Sequence, residues 1–278
     1  MRVKELITEF AQSVEFSALS ASTKGNYGRF LVYAQSSPIG DLDVKNIEKA
    51  DILRLRDKLA KTPGSANNLL GALGSVFSFA ISREYMTVNP VSGIKKLKLG
   101  EWKEWTTEEV MAAIEKTPPK IGLAIAIAYY TAQRQSDILD LCWDSADNGV
   151  IKFKQKKTGT SLEIPVDDRL KEIWSRVRGD ENDDMIFKSG TKPMSSATFR
   201  KLYKLAIRKI GIDKPFHGLR KAACTNLAEN GCSAAQIKAV SGHKTDAMVG
   251  KYTKAADQKR LAREAMKNIT SQAPSSGA

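Results

Sequence analysis

Residues 217–252 read HGLRKAACTNLAENGCSAAQIKAVSGHKTDAMVGKY and contain both histidines of the 278-residue chain. His217 and Arg220 are three residues apart, so a helix over 217–229 presents both on one face. His243 lies nine residues before Tyr252, beyond a second predicted helix over 233–240. A single histidine is more often structural than catalytic. Two histidines beside Arg, Lys and Tyr in one stretch favour a functional site.

A further arginine, Arg134, lies in TAQRQSDIL (131–139), directly after an apolar helix predicted over 119–131. The helix predicted over 136–142 turns its apolar residues inward, so Arg134 lies at a helix junction. Arginine at such a junction is often a structural cap or half of an ion pair. Asp137 is a candidate partner, and it could equally orient Arg134 for another task.

A β-hairpin is predicted between these two regions, with strands over 150–155 and 161–166 joined by KKTGT (156–160). Its first arm and turn carry Lys152, Lys154, Lys156 and Lys157. Lys156 and Lys157 are adjacent and therefore point to opposite faces of a strand.

Taken in chain order, these motifs resemble those of the tyrosine recombinase (phage integrase) family. They are Arg134, a lysine of KKTG, HGLR (217–220), GHK (242–244) and Tyr252. Each motif alone is weak evidence for the family. The full set in this order, with His243 nine residues before Tyr252, is specific for it. The resemblance covers about Glu104 to Lys267. One departure is Ala132, where the family often has glycine.

The resemblance implies a reaction and a role for each residue. Tyr252 attacks a DNA phosphodiester, which forms a 3′-phosphotyrosine link and releases a 5′-hydroxyl. Arg134 and Arg220 hold the non-bridging oxygens of the scissile phosphate. His217 contacts that phosphate and takes the tyrosine proton, and His243 donates a further hydrogen bond. The family implies no cofactor and no metal.

The hairpin lysine would protonate the leaving 5′-oxygen. We assign Lys157 because it directly precedes Thr158, where the family often has Lys-Thr. Lys156 stays open as the alternative.

The first part of the chain is predicted as a module of four helices over about 3–14, 22–35, 48–60 and 65–85, without strands. The fold class is therefore mainly α with a small β-hairpin or sheet. The expected domains are a helical core-binding (SAM-like) domain at 1–88, a basic linker at 89–105 and an α+β catalytic domain at 106–270. The tail at 271–278 is expected to be disordered. Thr106 and Glu109 match a capping box at the start of a helix.

The net charge of +13 and the pI near 9.5 favour a polyanionic partner, and DNA is the one that the family implies. Basic residues on two predicted helices and in the linker are the candidate DNA contacts: Lys24, Arg29, Lys95, Lys96, Lys98, Arg200 and Lys201. These basic residues also have interpretations without DNA. The linker could be a solvated tether, and the basic helix faces could serve only to keep the protein soluble.

The sequence disfavours disulfide and metal sites, a membrane span and a signal peptide. Three cysteines are too few and too oddly spaced for a disulfide framework or a zinc ribbon, and two histidines exclude a multi-histidine metal site. The longest apolar run, 121–130, is half of what a membrane span needs. The start, MRVKELITEF, has charges where a signal peptide has its apolar centre. We expect a cytoplasmic protein, associated with the nucleoid when it acts.

Three functions are compatible with these residues. The first is a site-specific recombinase that clamps double-stranded DNA between two domains, as a monomer when free and a homo-tetramer in the synaptic complex. Accessory DNA-bending proteins are possible further partners. The second is a type IB topoisomerase, which is indifferent to sequence. The third is a DNA-binding accessory protein whose tyrosine site is vestigial. The helical module begins near Met1, so we expect either a two-domain recombinase or a shortened form of a longer one.

Overall fold

The computed structural model describes residues 1–100, 103–178 and 184–270. The chain divides into two compact units, Met1–Glu101 and Trp102–Ala278. The predicted tail at 271–278 lies outside the described residues.

The first unit is helical. Its helices are α1 (Val3–Gln12), α2 (Val14–Ser17), α3 (Ala21–Gln35), α4 (Lys49–Asp57) and α5 (Pro63–Ser82), with a 3-10 turn at Pro38–Asp41. The apolar positions of α1, at Val3, Leu6, Ile7 and Phe10, share one face and are buried. They pack with the apolar face of α5 in one hydrophobic core. No strand occurs in the described part of this unit, as the sequence predicts.

The described residues of the second unit form eight α-helices and several short strands. The helices are α6 (Thr107–Lys116), α7 (Pro119–Thr131), α8 (Gln135–Ile138), α9 (Asp168–Arg178), α10 (Ser196–Lys209), α11 (His217–Glu229), α12 (Ala234–Ser241) and α13 (Asp246–Thr270). The strands are β1 (Ala146–Asp147), β2 (Val150–Lys154), β3 (Ser161–Pro165), β4 (Lys188–Ser189) and β5 (Lys192–Pro193). The predicted fold class, mainly α with a small sheet, is confirmed.

Helix α7 lies at the centre of the second unit. Its residues from Ile121 to Ala128 are all buried, which explains why the sequence shows a continuous apolar run. It contacts α6, α9 and α11. The predicted capping box begins α6: the Thr106 hydroxyl accepts from the Glu109 amide at 3.2 Å, and the Glu109 carboxylate accepts from the Thr106 amide at 2.8 Å.

The sheet differs from the predicted hairpin by one strand. β2 and β3 pair antiparallel with Ile151 opposite Ile164, as predicted, but β1 adds a third strand on the other edge of β2. β4 and β5 form a separate small hairpin that the sequence analysis did not predict. Strands of two residues are too short to show an alternating pattern.

The C-terminal part also differs. The predicted helix over 245–251 and tail helix over 255–267 are one continuous helix, α13. The residues between them contain no proline or glycine, and Thr253 is buried, so nothing interrupts the helix.

Much of the predicted linker lies against the first unit. The Asn67 side chain both donates to the Leu97 carbonyl at 2.9 Å and accepts from the Leu97 amide at 2.8 Å. Arg56 Nη1 donates to the Lys95 carbonyl at 3.3 Å. Trp105, at the other end, is buried in the core of the second unit. The domain boundaries at 88 and 106 stay predictions.

Candidate functional site

Arg220 is held by two residues that are far apart in the sequence. It lies on α11 and is 3% exposed, which is rare for an arginine. Its Nη1 donates to the carbonyl of Ala132 at 2.7 Å, and its Nη2 lies 3.1 Å from His243 Nε2. Ala132 ends α7 in the left-handed conformation, with φ 53° and ψ 27°. This backbone geometry explains why glycine is expected there.

His243 has a tautomer that its partners determine. Because a guanidinium can only donate, His243 Nε2 must accept from Arg220. Ser241 Oγ donates to the carbonyl of Ile237 at 2.5 Å, so it accepts from His243 Nδ1 at 2.7 Å. His243 is therefore neutral with its proton on Nδ1. This assignment differs from the expectation that it donates to a phosphate.

The electrostatics agree with a neutral His243. Burial and the positive charge of Arg220, followed by those of Arg134, Lys251 and His217, lower the pKa of His243 to about 4. Burial and the charge of Arg134 also lower the pKa of Arg220 to about 10, at which it is still protonated at neutral pH.

Tyr252 lies on α13 against the same cluster. The centroids of its ring and the His243 ring are 6.1 Å apart. The ring packs with Ala223, Cys224 and Val249 in a small apolar cluster. Burial raises the pKa of Tyr252, and Arg220 partly opposes that shift. The phenol is therefore protonated at neutral pH in the DNA-free protein.

Arg134 is the N-cap residue of α8, and two neighbouring side chains hold its guanidinium. Its Nη1 donates to the Gln155 side-chain oxygen at 3.1 Å and lies 3.8 Å from Asp137 Oδ2. Asp137 is buried; its Oδ1 accepts from the Lys156 amide at 3.0 Å, whereas its Oδ2 accepts no hydrogen bond from the described residues. Asp137 is thus both an ion-pair partner of Arg134 and an anchor of the hairpin.

The two hairpin lysines have different surroundings. Lys156 Nζ lies 2.7 Å from the Asp140 carboxylate, in an exposed ion pair. Lys157 is exposed and near enough to His217 for its charge to lower the pKa of that histidine. Partial desolvation is the largest cause of this lowering, followed by Arg220, Arg134, Lys157 and Lys251.

His217 is the first residue of α11, and glycine follows it for a steric reason. A Cβ on Gly218 would lie 2.9 Å from the Trp105 ring, whose Nε1 donates to the Pro215 carbonyl at 3.2 Å. The tryptophan therefore packs tightly against the start of the helix that carries His217 and Arg220.

The structure thus brings together all six residues that the sequence predicts for catalysis. Contacts join Arg220 to His243 and His243 to Tyr252, and charge couples Arg134, Lys157 and His217 to the same cluster. Three buried polar residues beside this cluster were not predicted from the sequence. Ser241 contacts His243, Gln155 contacts Arg134, and Gln133 contacts Gln155.

Five of the seven candidate DNA contacts belong to the first unit, and the other two, Arg200 and Lys201, belong to α10. Lys24 is half-buried and the others are exposed. Arg29 packs over the Phe30 ring at 4.7 Å, and Arg200 Nε donates to the Ser196 carbonyl at 3.1 Å. Lys95, Lys96 and Lys98 follow one another in the segment that lies against the first unit.

Two classes of feature are missing from residues 1–100, 103–178 and 184–270. No helix there combines the length and the apolar composition that crossing a membrane requires. No group of three or more His, Cys, Asp or Glu side chains there is arranged to hold a metal ion.

A sequence model of the phage integrase family matches residues 103–259, which is more than half of the chain. The chain belongs to the phage integrase family. The matched range contains all six clustered residues.

Known relatives agree with this membership. The integrase of Enterobacteria phage 434 is 28% identical over 211 residues, which are 68% of this chain and 57% of that integrase. This chain therefore spans less than two thirds of that relative's length.

Solved integrase structures share the fold. One is the lambda integrase tetramer bound to a Holliday junction, with a TM-score of 0.75 and 21% identity over 88% of this chain and 78% of that chain. Another is the Tn1549 transposon integrase in complex with circular intermediate DNA, with a TM-score of 0.77 and 16% identity over 93% of this chain and 99% of that chain.

Proposed function

We propose that this phage integrase family member is a site-specific tyrosine recombinase, which cleaves and rejoins DNA through a 3′-phosphotyrosine intermediate. The observation that carries the proposal is the contact chain of Arg220, His243 and Tyr252, with Arg134, His217 and Lys157 coupled to it by charge. It unites a nucleophile, a base, an acid and two fixed cations.

The two arginines bind the scissile phosphate. A guanidinium keeps its charge at neutral pH and matches two phosphate oxygens in a planar fork. Arg220 is fixed by the Ala132 carbonyl and the His243 imidazole, which are neutral and leave its charge unneutralised. Arg134 is fixed by the neutral Gln155 amide and lies 3.8 Å from the Asp137 carboxylate, which offsets part of its charge. The two arginines stabilise the charge that grows on the phosphate in the transition state.

Tyr252 is the nucleophile and His217 is its base. The raised pKa of Tyr252 makes its phenol a poor nucleophile without help. The lowered pKa of His217 leaves its imidazole neutral at neutral pH, so it can accept the phenolic proton. As the Oη–P bond forms, the bond between phosphorus and the 5′-oxygen breaks.

Lys157 donates the proton that the leaving 5′-oxygen needs. Its exposed position on the hairpin turn suits an acid that meets the leaving group only when DNA is bound. Lys156 is the poorer candidate because its ammonium is paired with Asp140.

A bound phosphate would also change His243. The cations around it hold its pKa low, and an anion among them would favour a proton on Nε2. With that proton His243 donates to the phosphate, as the family resemblance implies.

The reaction as proposed needs no metal and no cofactor, because fixed Arg and Lys charges act where a metal would. The proposed partner is a double-stranded recombination site, bound by a homo-tetramer like the lambda integrase tetramer on its Holliday junction. Accessory DNA-bending proteins and a cytoplasmic, nucleoid-associated location belong to the same proposal. So do the core-binding domain at 1–88, the linker at 89–105 and the catalytic domain at 106–270.

Covalent capture tests this proposal. The protein is mixed with fragmented, nicked DNA of its source replicon, stopped with detergent, and the attached DNA is sequenced, with Tyr252→Phe as the control. We expect attachment at one inverted-repeat site for the wild type and none for the variant, which still binds DNA.

The other outcomes identify the alternatives. Attachment spread evenly over the DNA would favour a type IB topoisomerase. DNA binding without attachment would favour the accessory protein, and attachment to Tyr252→Phe would refute the nucleophile assignment.

A further inference from the structure

We propose that Gln155 is a positioning residue whose one side-chain amide sets Arg134, the hairpin turn that carries Lys157, and the loop that carries His243. This inference rests on the proposed function. Gln155 lies one residue after β2 and is fully buried.

The amide of Gln155 makes four hydrogen bonds. Its Nε2 donates to the Gln133 side-chain oxygen at 2.7 Å and to the Ser241 carbonyl at 2.9 Å. Its Oε1 accepts from Arg134 Nη1 at 3.1 Å and from Thr158 Oγ1 at 2.7 Å. Every donor and acceptor of the group is therefore used.

The orientation of this amide is fixed by its partners. The Ser241 carbonyl can only accept and the Arg134 guanidinium can only donate, so exchanging the amide nitrogen and oxygen would break both bonds. A buried amide with all its bonds made has one low-energy orientation, and moving any one partner leaves a buried polar group unsatisfied.

The four contacts reach three parts of the site, because Gln133 directly precedes Arg134 in the chain. Thr158 follows Lys157, and Ser241 is separated from His243 only by Gly242. The main chain of Gln155 also closes the turn, because its amide donates to the Thr160 carbonyl at 2.9 Å and its carbonyl accepts from the Gly159 amide at 2.8 Å. One residue thus joins the phosphate-binding arginine, the acid and the His243 loop.

Gln133 extends the connection through the core. It is 1% exposed, and its Nε2 donates to the carbonyls of Thr131 and Val240, both at 2.8 Å. The two glutamines therefore tie the end of α7 and the end of α12 to the hairpin.

An amide is suited to this position because it is neutral. It directs the Arg134 guanidinium through a dipole and adds no second negative charge to that of Asp137. A carboxylate at the same position would pair with the guanidinium and would face two acceptor oxygens, Gln133 Oε1 and the Ser241 carbonyl.

Double-mutant cycles on DNA cleavage test the inference. Single-turnover rates are measured for Gln155→Met alone, and again in a Lys157→Met and an Arg134→Lys background. Gln155→Met alone should slow cleavage by about 10- to 100-fold, the usual effect of removing a group that orients a functional side chain. Its affinity for DNA should stay within about 2-fold of the wild type.

In each background, Gln155→Met should reduce the cleavage rate by a factor at least about 3-fold smaller than in the wild type. The reason is that the residue positioned by Gln155 has already been changed. An undiminished effect in either background would overturn the claim that one amide positions both residues. Gln135→Met is the matched control: its amide donates to the Ser196 carbonyl at 3.1 Å, and it should cleave within about 2-fold of the wild type.

A second variant and a second readout guard against misfolding. Thr158→Val removes only the hydrogen bond that the Thr158 hydroxyl donates to Gln155 Oε1 and leaves the bond from Arg134 in place. It should reproduce a smaller defect that is coupled to Lys157. In DNA-free Gln155→Met, hydrogen exchange should quicken in both 156–160 and 241–244, and unchanged exchange in either segment would overturn the inference. If the wild type itself forms no covalent complex, the proposed function fails, and the exchange result alone judges the inference.

Discussion

Arg220 is buried with its charge intact, and neutral partners make this possible. The Ala132 carbonyl and the His243 imidazole accept its hydrogen bonds, so the guanidinium is oriented without a carboxylate to neutralise it. An unpaired buried charge is costly, and here much of that cost is offset by hydrogen bonds. A phosphate bound at this position would complete the pairing.

The pKa of His243 gives a prediction for stability. It is lowered to about 4 from an ordinary value of 6.5, so between these values the unfolded chain binds more protons than the folded one. Stability that is present above about pH 6.5 should therefore be lost as the pH falls towards about 4.

Thermal unfolding of the wild type and His243→Gln between these pH values measures this effect. As the pH is lowered, the unfolding temperature of the variant should fall less steeply than that of the wild type. The pKa of His217 is also lowered, and this residue is present in both proteins. The dependence of the unfolding temperature on pH should therefore become weaker in the variant without disappearing. Parallel slopes would contradict the low pKa of His243.

At the scale of elements, the hairpin and the end of α12 depend on close contacts between main chain and side chain. Gly242 ends α12 with φ at 71°, and a Cβ there would lie 2.5 Å from Gln155 Nε2. Both the left-handed backbone and the missing side chain are therefore required of this residue.

Gly242→Ala should lower the free energy of unfolding by about 2–4 kcal/mol, combining left-handed strain with overpacking. In a Gln155→Ala background the loss should fall to about 1–2 kcal/mol, because only the backbone strain remains. Chemical denaturation of the four proteins measures both values. Equal losses in the two backgrounds would show that the clash with Gln155 does not matter.

The hairpin gives a prediction on the acid. Lys157→Met should slow cleavage of ordinary DNA by at least about 100-fold, the lower range for a general acid. It should recover on DNA with a bridging 5′-sulfur, because a thiolate leaves without a proton. Lys156→Met is the matched control and should lose only a surface ion pair with Asp140. The reverse pattern would assign the acid to Lys156.

The sequence predicted those elements and site residues that follow from local patterns. Helices α6 and α7 have their predicted bounds because a capping box, Pro119 and apolar spacing define them locally. The Gln155 contact with Ser241 joins residues 86 apart and has no local pattern. Two helices were predicted where α13 is one, because its amphipathic pattern is weak. Such a pattern does not indicate that a helix continues through Tyr252.

At the scale of the whole molecule, the net charge of +13 bears on the DNA binding that we propose. If Lys95, Lys96 and Lys98 bind phosphates, changing all three to Ala should reduce the slope of log affinity against log salt by about 1 for each phosphate that is no longer neutralised. Lys45, Lys58 and Lys61 are exposed and give a control with the same change in charge. Equal slopes for the two triple variants would mean that the segment is only a basic surface.

The most direct test of the central claim is to map the residue that carries the DNA. The covalent complex is digested with protease and nuclease, and its peptides are analysed by mass spectrometry. We predict a nucleotide attached through its 3′-phosphate to the peptide that contains Tyr252, and a free 5′-hydroxyl on the released strand. A nucleotide on any other residue, or a 5′-phosphate on the released strand, would contradict it.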